Sequence, residues 1–591
     1  MESQLGLESS PFTSRFDSNY VATDSECVEI QNLLKKPTAR LEELSTLLRE
    51  LDERSARIQA EQASLFLSIS KHQALTSLIR KLPIDILQEI FIACLPTTYN
   101  AVMSNQHPPM LLTQICSSWR KVAHATPQLW KSIHIAIPFN APRIYSLEYS
   151  NFRSTVEQVA RRRSEAVLEW ISRSGACPLD ISISKWDTSV PYGTYDNIIE
   201  SLILFSERWR EISFSVPHQA LGPVAALPAS KVPLLESLVL NCGRLHFSPA
   251  PIRTGFDTQS DWFISGVIKA PKLREIRLTQ LSEDVARLPI NWSQLTTLSL
   301  EGTTVGRLSI SKAYKILSSC RNLINCRLEI GTVMPTEDPP FYETSTASTI
   351  SLPFLTDFSV CEDTNLSKLF GLLHLPSLNS LEFHTTIWPT HASSPGLLSL
   401  LERSHSMIQH LITDPQFFKR QDFVECLRLC PSLKSLSIRK AHTISTPPVW
   451  PQVDIPTCRV DDTFLRMFTS DETGLEDSGG GGGGEGGEGC LCPKLETFEC
   501  SSETAFSEIA LLQFIKDKSS IPGLAKLETL FVIFYSHSLH DIQMELEVYK
   551  KAGLRATVSY PHSSFMAAPF SPFEGLPVDG NMGQFGCLPF Y

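Results

Sequence analysis

One short apolar template recurs through the second two-thirds of the chain and restricts what it can fold into. A turn residue or Pro precedes an apolar residue, and apolar partners follow three and five positions on. The template stands as Pro271-Lys272-Leu273-Arg274-Glu275-Ile276-Arg277-Leu278 and again as Pro431-Ser432-Leu433-Lys434-Ser435-Leu436-Ser437-Ile438. Further copies place their first apolar residue at Trp209, Leu235, Leu295, Leu323, Leu355, Leu378, Ile408, Leu495 and Leu527. The last two apolar positions alternate, as on a strand with one face turned inward, and the first anchors the turn ahead of it. Between copies, Ser311 to Cys320 and Gly396 to Ser404 read as short amphipathic helices. A strand plus a helix makes one coil that cannot bury its apolar face alone, so coils must stack. The expected fold class is α/β, a curved solenoid with a parallel sheet along its concave side and the exposed strand positions as a recognition surface.

Separations of 26 residues from Trp209 to Leu235, 22 from Leu273 to Leu295, 28 from Leu295 to Leu323 and 25 from Ile408 to Leu433 are near the period of leucine-rich repeats. The repeats are irregular, with 38 residues from Leu235 to Leu273 and 62 from Leu433 to Leu495. The larger insertion holds Pro447, Pro448, Pro451 and Pro456, an acidic stretch from Asp471 to Asp477 and a glycine run from Gly479 to Gly484 that continues to Gly489. Glycine at this density has few side chains to bury against its ordering entropy, so a disordered surface insertion over 441–490 is expected. It is not a phosphate cradle: no Lys-Ser or Lys-Thr closes it, no apolar strand leads into it, and its flanks are acidic.

Ahead of the repeats lies Leu82-Pro83-Ile84-Asp85-Ile86-Leu87-Gln88-Glu89-Ile90-Phe91, then Trp119-Arg120-Lys121-Val122-Ala123 and Pro127-Gln128-Leu129-Trp130. Pro83 suits a first helical turn, where a missing N–H loses no partner, and Ile86, Leu87, Ile90 and Phe91 recur at helical spacing. A second helix is expected from Leu111 to about Ala125, ended by Pro127, with a loop over Pro96 to Pro109 between the two. A module of some fifty residues cannot bury all its apolar surface, so part of it should meet a partner. This arrangement resembles the F-box over residues 78–134, and an F-box ahead of irregular leucine-rich repeats resembles the expanded F-box families of fungi. The resemblance implies a substrate receptor of an SCF-type ubiquitin ligase. The box would dock on a Skp-family adaptor, and through it a cullin, while the repeats hold an unknown target protein. It assigns the adaptor contact to Leu82, Pro83, Ile86, Leu87, Ile90, Phe91 and Trp119, some of which will be core.

Leu41, Leu44, Leu48, Leu51, Ile58, Leu65 and Ile69 fall on alternating three- and four-residue steps interrupted by Ser55 and Gln62. They predict a long helix over 37–76, which either zips two chains into a coiled coil or packs back on its own protein. Residues 1–36 carry no periodicity and are expected to be disordered. The remaining boundaries are a solenoid over 160–558 and a loose tail over 560–591, where Phe565, Phe570 and Phe573 would cover the last repeat.

The other function classes find little support. The chain has 591 residues, 42% hydrophobic and 19% charged, with a net charge of −11 that disfavours a general nucleic-acid binder. The basic run Arg161-Arg162-Arg163 reads as a solvated helix face. Fifteen scattered cysteines, Cys320, Cys326, Cys430 and Cys500 among them, read as reduced core thiols, and the close pair Cys490 and Cys492 lacks a matching pair for a metal. No leader and no membrane span is expected, so the chain should work in the cytoplasm or nucleus, and the Asn291 and Asn365 sequons are chance matches. Cys587 lies too far from a prenylation position to count as one. His374, His384, His391, His405 and His410 are expected in repeat turns and loops, without a His-Glu-x-x-His helix or a Gly-x-Ser-x-Gly elbow. No catalytic residue, cofactor or metal is expected. The alternative is a leucine-rich-repeat interaction scaffold without a ligase link, its helical module capping the solenoid. A nucleic-acid reader on the solenoid face is the third reading, disfavoured by charge.

Overall fold

The first apolar residues of the repeated template become buried anchors between turn and strand. In the computed structural model, Trp209, Leu235, Leu273, Leu295, Leu323, Leu355, Leu378, Ile408, Leu433 and Leu495 have no exposed surface, whereas Leu527 is half-buried. The structure describes residues 10–76, 78–136, 149–183, 196–216, 218–242, 261–281, 283–302, 308–331, 348–385, 387, 396–404, 408–440, 458–469, 490–501, 504–534 and 542–560. These divide into two compact units, residues 1–87 and 88–591.

The second unit is α/β. Its strands are β1 (Ser132–Ile135), β2 (Leu179–Ile183), β3 (Trp209–Ser215), β4 (Ser237–Asn241), β5 (Glu275–Thr279), β6 (Thr297–Glu301), β7 (Asn325–Ile330), β8 (Ile350–Ser351), β9 (Asp357–Glu362), β10 (Leu373–His374), β11 (Ser380–Thr385), β12 (His410–Thr413), β13 (Ser435–Ile438), β14 (Thr497–Cys500), β15 (Thr529–Ile533) and β16 (Arg555–Ser559). Among the described residues, fourteen of them form one sheet in chain order, while β8 and β10 pair separately. Every neighbouring pair is parallel, for example Leu298 against Cys326 and Leu436 against Phe498. Burial alternates along strands such as β4, β5, β7, β9 and β15, so the positions three and five beyond the anchor face the core, while β2, β6, β11 and β13 are buried on consecutive residues. The positions between them form the open face of the sheet.

Helices complete the coils against the buried face of the sheet. The helix Ile310–Ser319 buries Ala313, Ile316 and Leu317, and Ser309 caps it by accepting from the Lys312 N–H. A helix over Gly396–Ser404 buries Leu397, Leu400 and Leu401. Aromatic rings then run from coil to coil: Phe358 to Phe370, Phe383, Phe418, Phe423, Phe464, Phe468, Phe514 and Phe498, with neighbouring centroids 5.3 to 6.5 Å apart. Burying each such ring contributes about 2 kcal/mol or more, which is what one coil gains by stacking on the next.

Two expectations need correction here. The stretch 441–490 is not wholly a disordered insertion, because residues 458–469 fold into the stack. Asp461 caps a helix over Asp462–Arg466, its carboxylate accepting from the Phe464 N–H at 2.8 Å and pairing with Arg420 at 2.9 Å. Phe464 and Phe468 fill the aromatic run, so this segment supplies the helical half of a coil whose strand is β14. The rest of 441–490 lies outside the described residues, apart from Cys490, as do 561–591 with Phe565, Phe570 and Phe573. The sheet also begins earlier than residue 160: β1 follows Trp130 directly and pairs with β2.

In the first unit the long helix runs over Asp24–Thr76 rather than from residue 37. Residues 24–36, expected to be disordered, therefore belong to this helix, and residues 1–9 lie outside the described residues. Glu26 turns back onto the residue ahead of the helix, its carboxylate accepting from the Thr23 N–H and hydroxyl at 2.9 and 2.8 Å. Those hydrogen bonds, with Arg15 and Tyr20 beside them, hold the Glu26 carboxyl down to about 2. Pro37 sits within the helix.

Candidate docking surfaces

The helical module straddles the two units, so its residues are placed unit by unit. In the first unit, Pro83 leads into a helix over Ile84–Ala93, its carbonyl accepting from the Leu87 N–H at 3.1 Å. Leu82 is half-buried, Pro83 and Ile86 are exposed, and Leu87 is buried. In the second unit, Ile90 is exposed while Phe91 is fully buried, its ring 4.8 Å from that of the half-buried Trp119. The spacing of four along one helix gives Ile86, 45% exposed, and Ile90, 38% exposed, the same helical face. Leu87 and Phe91 point inward instead and support that helix. Ile84, 65% exposed, and Ile115, 56% exposed, were not singled out as contacts by the sequence, although both belong to the apolar spacing around the chosen residues.

The expected helix over Leu111 to Ala125 is broken. Cys116 adopts an extended backbone, φ −160° and ψ 169°, between helices Leu112–Ile115 and Ser117–His124. Its Sγ accepts from the Trp119 N–H at 3.4 Å, so a thiol serves as the cap and Trp119 is placed one turn into a new helix. Trp130 closes the module, its Nε1 donating to the Ala123 carbonyl at 2.9 Å. The same indole meets Trp170 edge-on at 4.9 Å and lies under the Arg173 guanidinium at 4.6 Å. His124 stacks on it, and burial, with the charges of Arg173 and Arg120, lowers the His124 pKa.

The stretch expected as a loop over Pro96 to Pro109 is pinned to the sheet. The Val102 backbone bridges His134, the His134 N–H donates to the Ala101 carbonyl at 2.7 Å, and the Asn100 side chain links the Ser132 and Ser182 hydroxyls. Within the second unit, then, the module's end serves as the first layer of the sheet through Trp130 and β1, while Ile90 and Ile115 stay open to solvent.

The open face of the sheet carries a polar cluster that the sequence reading missed. Parallel register aligns Arg327, Ser359, Glu382, Ile412, Ser437 and Glu499 across six adjacent strands. Glu382 is its centre. One carboxylate oxygen accepts from Arg327 at 2.9 Å and from the Ser359 hydroxyl at 3.0 Å, and the other accepts from Arg439 at 3.2 Å with His384 Nε2 also at 3.2 Å. Burial raises the Glu382 pKa, but the His384 hydrogen bond and the two arginine charges outweigh it and hold the carboxyl at about 2. The two arginines keep partly exposed guanidiniums, so the cluster presents oriented donors to whatever lies on this face. The signal was available: Arg327 and Glu382 each lie four residues beyond their anchors, Leu323 and Leu378.

The histidine placement is corrected in part. His374, His384 and His410 lie in strands β10, β11 and β12 rather than in turns, and His391 and His405 are outside the described residues. Cys320, Cys326, Cys430 and Cys500 are buried, with burial pushing the Cys320 and Cys430 thiols up to about 12. Cys492 is buried with its Sγ donating to the Leu427 carbonyl at 3.7 Å. Among the described residues there is no cluster of metal-ligating side chains, and no helix is long and apolar enough to cross a membrane. Arg161 and Arg162 are exposed on a helix over Tyr149–Arg173.

No protein-family model matches the chain, and no curated protein matches it in sequence. Among solved structures it is similar to a chain from the yeast complex of Rad7 and Elc1, with 15% identity over 72% of this chain and 98% of that one and a TM-score of 0.32.

Proposed function

We propose that this chain is the substrate-recognition subunit of an SCF-type ubiquitin ligase. The helix Ile84–Ala93 and the Trp119 helix dock on a Skp-family adaptor, and through it a cullin, and the open face of the parallel sheet binds a target protein. The exposure of Ile86 and Ile90 on one face of that helix carries the reading, because an internal cap would bury them. At roughly half exposure, each would contribute about 1 kcal/mol on being covered. Leu82, Pro83 and Trp119 flank them in the proposed contact, and Leu87 and Phe91 set the helix in place. In this reading the chain supplies proximity and orientation, partner subunits transfer ubiquitin, and the complex works in the cytoplasm or nucleus.

A purified Skp-family adaptor retained by the immobilised full-length chain, and lost with Ile86→Asp plus Ile90→Asp, is the expected result. Each buried aspartate should weaken binding by about tenfold or more. Equal retention of the adaptor by parent and variant, or no retention by either, would leave the alternative: a repeat scaffold whose module only caps the sheet through Trp130 and β1.

A further inference from the structure

The helix Asp24–Thr76 carries a feature that the receptor reading does not use. Leu41, Leu44, Leu48, Leu51, Ile58, Leu65 and Ile69 are each at least 43% exposed, although they lie in a single stripe. Written as a heptad, Leu41, Leu48, Ser55, Gln62 and Ile69 take position a, and Leu44, Leu51, Ile58 and Leu65 take position d. An a and d stripe is narrow and suited to one partner helix, and here only Leu47 at g and Phe66 at e add apolar surface beside it. Charged side chains flank the first half of the stripe, with Arg40 paired to Glu43 at 2.6 Å and Glu53 near Arg57.

We infer that this helix pairs with the same helix of a second copy in a parallel, in-register, two-stranded coiled coil. Three observations identify the occupant. First, both polar seam residues, Ser55 and Gln62, sit at a. In a parallel pair a faces a, so Gln62 meets Gln62 and can exchange hydrogen bonds, and Ser55 meets Ser55. In an antiparallel pair a faces d, and every d position from Leu44 to Leu65 is apolar, which would leave both polar groups against Leu or Ile. Second, the flanking g and e positions bring Arg40 to Ser45, Leu47 to Asp52, Arg54 to Gln59 and Glu61 to Phe66, so no like charges meet. Third, the seam is long enough. From Leu41 to Ile69 it spans about 43 Å. Its fourteen apolar side chains, seven from each copy, would bury about 80 Å² each, a total near the roughly 1,000 Å² that a stable interface requires. The pairing brings the chain beyond Thr76 of both copies to one end of the coil, making the assembly bivalent. It does not depend on the ligase reading.

Light scattering on the full-length protein at micromolar concentration should give twice the 66.0 kDa chain mass. Leu44→Asp with Leu51→Asp should return it to the single-chain mass. Leu67→Asp, at the outward f position and also exposed, should leave the double mass unchanged. Cysteines introduced separately as Leu51→Cys and Leu65→Cys should each oxidise to a bond between the same residue of two copies, identified by peptide mass spectrometry. A single-chain mass for the parent, loss of pairing with Leu67→Asp, or failure of either cysteine to link to its own counterpart would overturn the inference.

Discussion

Replacing Glu382 by Gln should destabilise the sheet at neutral pH and remove a specific acid sensitivity. In the folded chain its carboxyl is held at about 2, against an ordinary 4.5, by the His384 hydrogen bond and the charges of Arg327 and Arg439 acting over the opposing effect of burial. That depression corresponds to roughly 3 kcal/mol of stability carried by the ionised form. The sign follows from linkage: with the folded pKa depressed, the contribution is complete above 4.5 and is lost as pH falls from 4.5 towards 2. By pH 3.5 roughly 1 kcal/mol of it is gone. Glu382→Gln keeps the shape but leaves two arginines without their shared carboxylate. Because both guanidiniums reach solvent, the expected cost at pH 7 is about 2 to 3 kcal/mol, below that of a sealed charge. Urea unfolding of parent and variant at pH 7, 5 and 3.5 measures this. The gap should be constant between pH 7 and 5 and shrink by roughly 1 kcal/mol at pH 3.5. A gap below about 0.5 kcal/mol at pH 7, or one that does not change on acidification, would refute the reasoning.

Glu362 on the neighbouring strand should behave in the opposite sense. Its burial raises the carboxyl to about 7 despite the Leu366 N–H and the Thr385 hydroxyl, so its folded state prefers the proton and stability falls as pH rises from 4.5 to 7. Glu362→Gln should therefore be more stable than the parent at pH 8, by up to about 3 kcal/mol, and equal to it at pH 4 in the same unfolding assay; a variant less stable at pH 8 contradicts this. Asp461→Ala should cost about 1 to 2 kcal/mol by removing a helix cap and an arginine partner, and hydrogen exchange should quicken at residues 458–469 before the rest of the sheet. Unchanged exchange there would show that the segment does not depend on its cap.

The strand positions were legible because the anchor, plus three, plus five spacing is imposed by the sheet itself: Leu298 and Leu300, or Leu436 and Ile438, can only alternate inward if a strand begins two residues after the anchor. The helices Ile310–Ser319 and Gly396–Ser404 were equally readable from their apolar faces. What the pattern hid were features set by partners distant in sequence. Asp461 and Phe464 sit among prolines and glycines that suggest disorder, and their order comes from Arg420 and the rings of Phe423 and Phe468. Cys116 breaks a helix that its apolar spacing would continue, because its thiol caps the next one. The start at Asp24 was signalled by Thr23 and Glu26, and the Glu382 cluster emerges only once register aligns six strands. In the helical module, the spacing gave the helix Ile84–Ala93 but could not separate the inward Leu87 and Phe91 from the outward Ile86 and Ile90, since adjacent apolar pairs read alike until one side is buried.

Whether the outward isoleucines are a docking face can be read by hydrogen exchange of the full-length chain with and without excess purified Skp-family adaptor. Exchange should slow at residues 84–93 and around Trp119 while the sheet strands are unaffected, and Ile86→Asp with Ile90→Asp should abolish the difference. Unaltered exchange over 84–93 in the presence of saturating adaptor would contradict the proposed function.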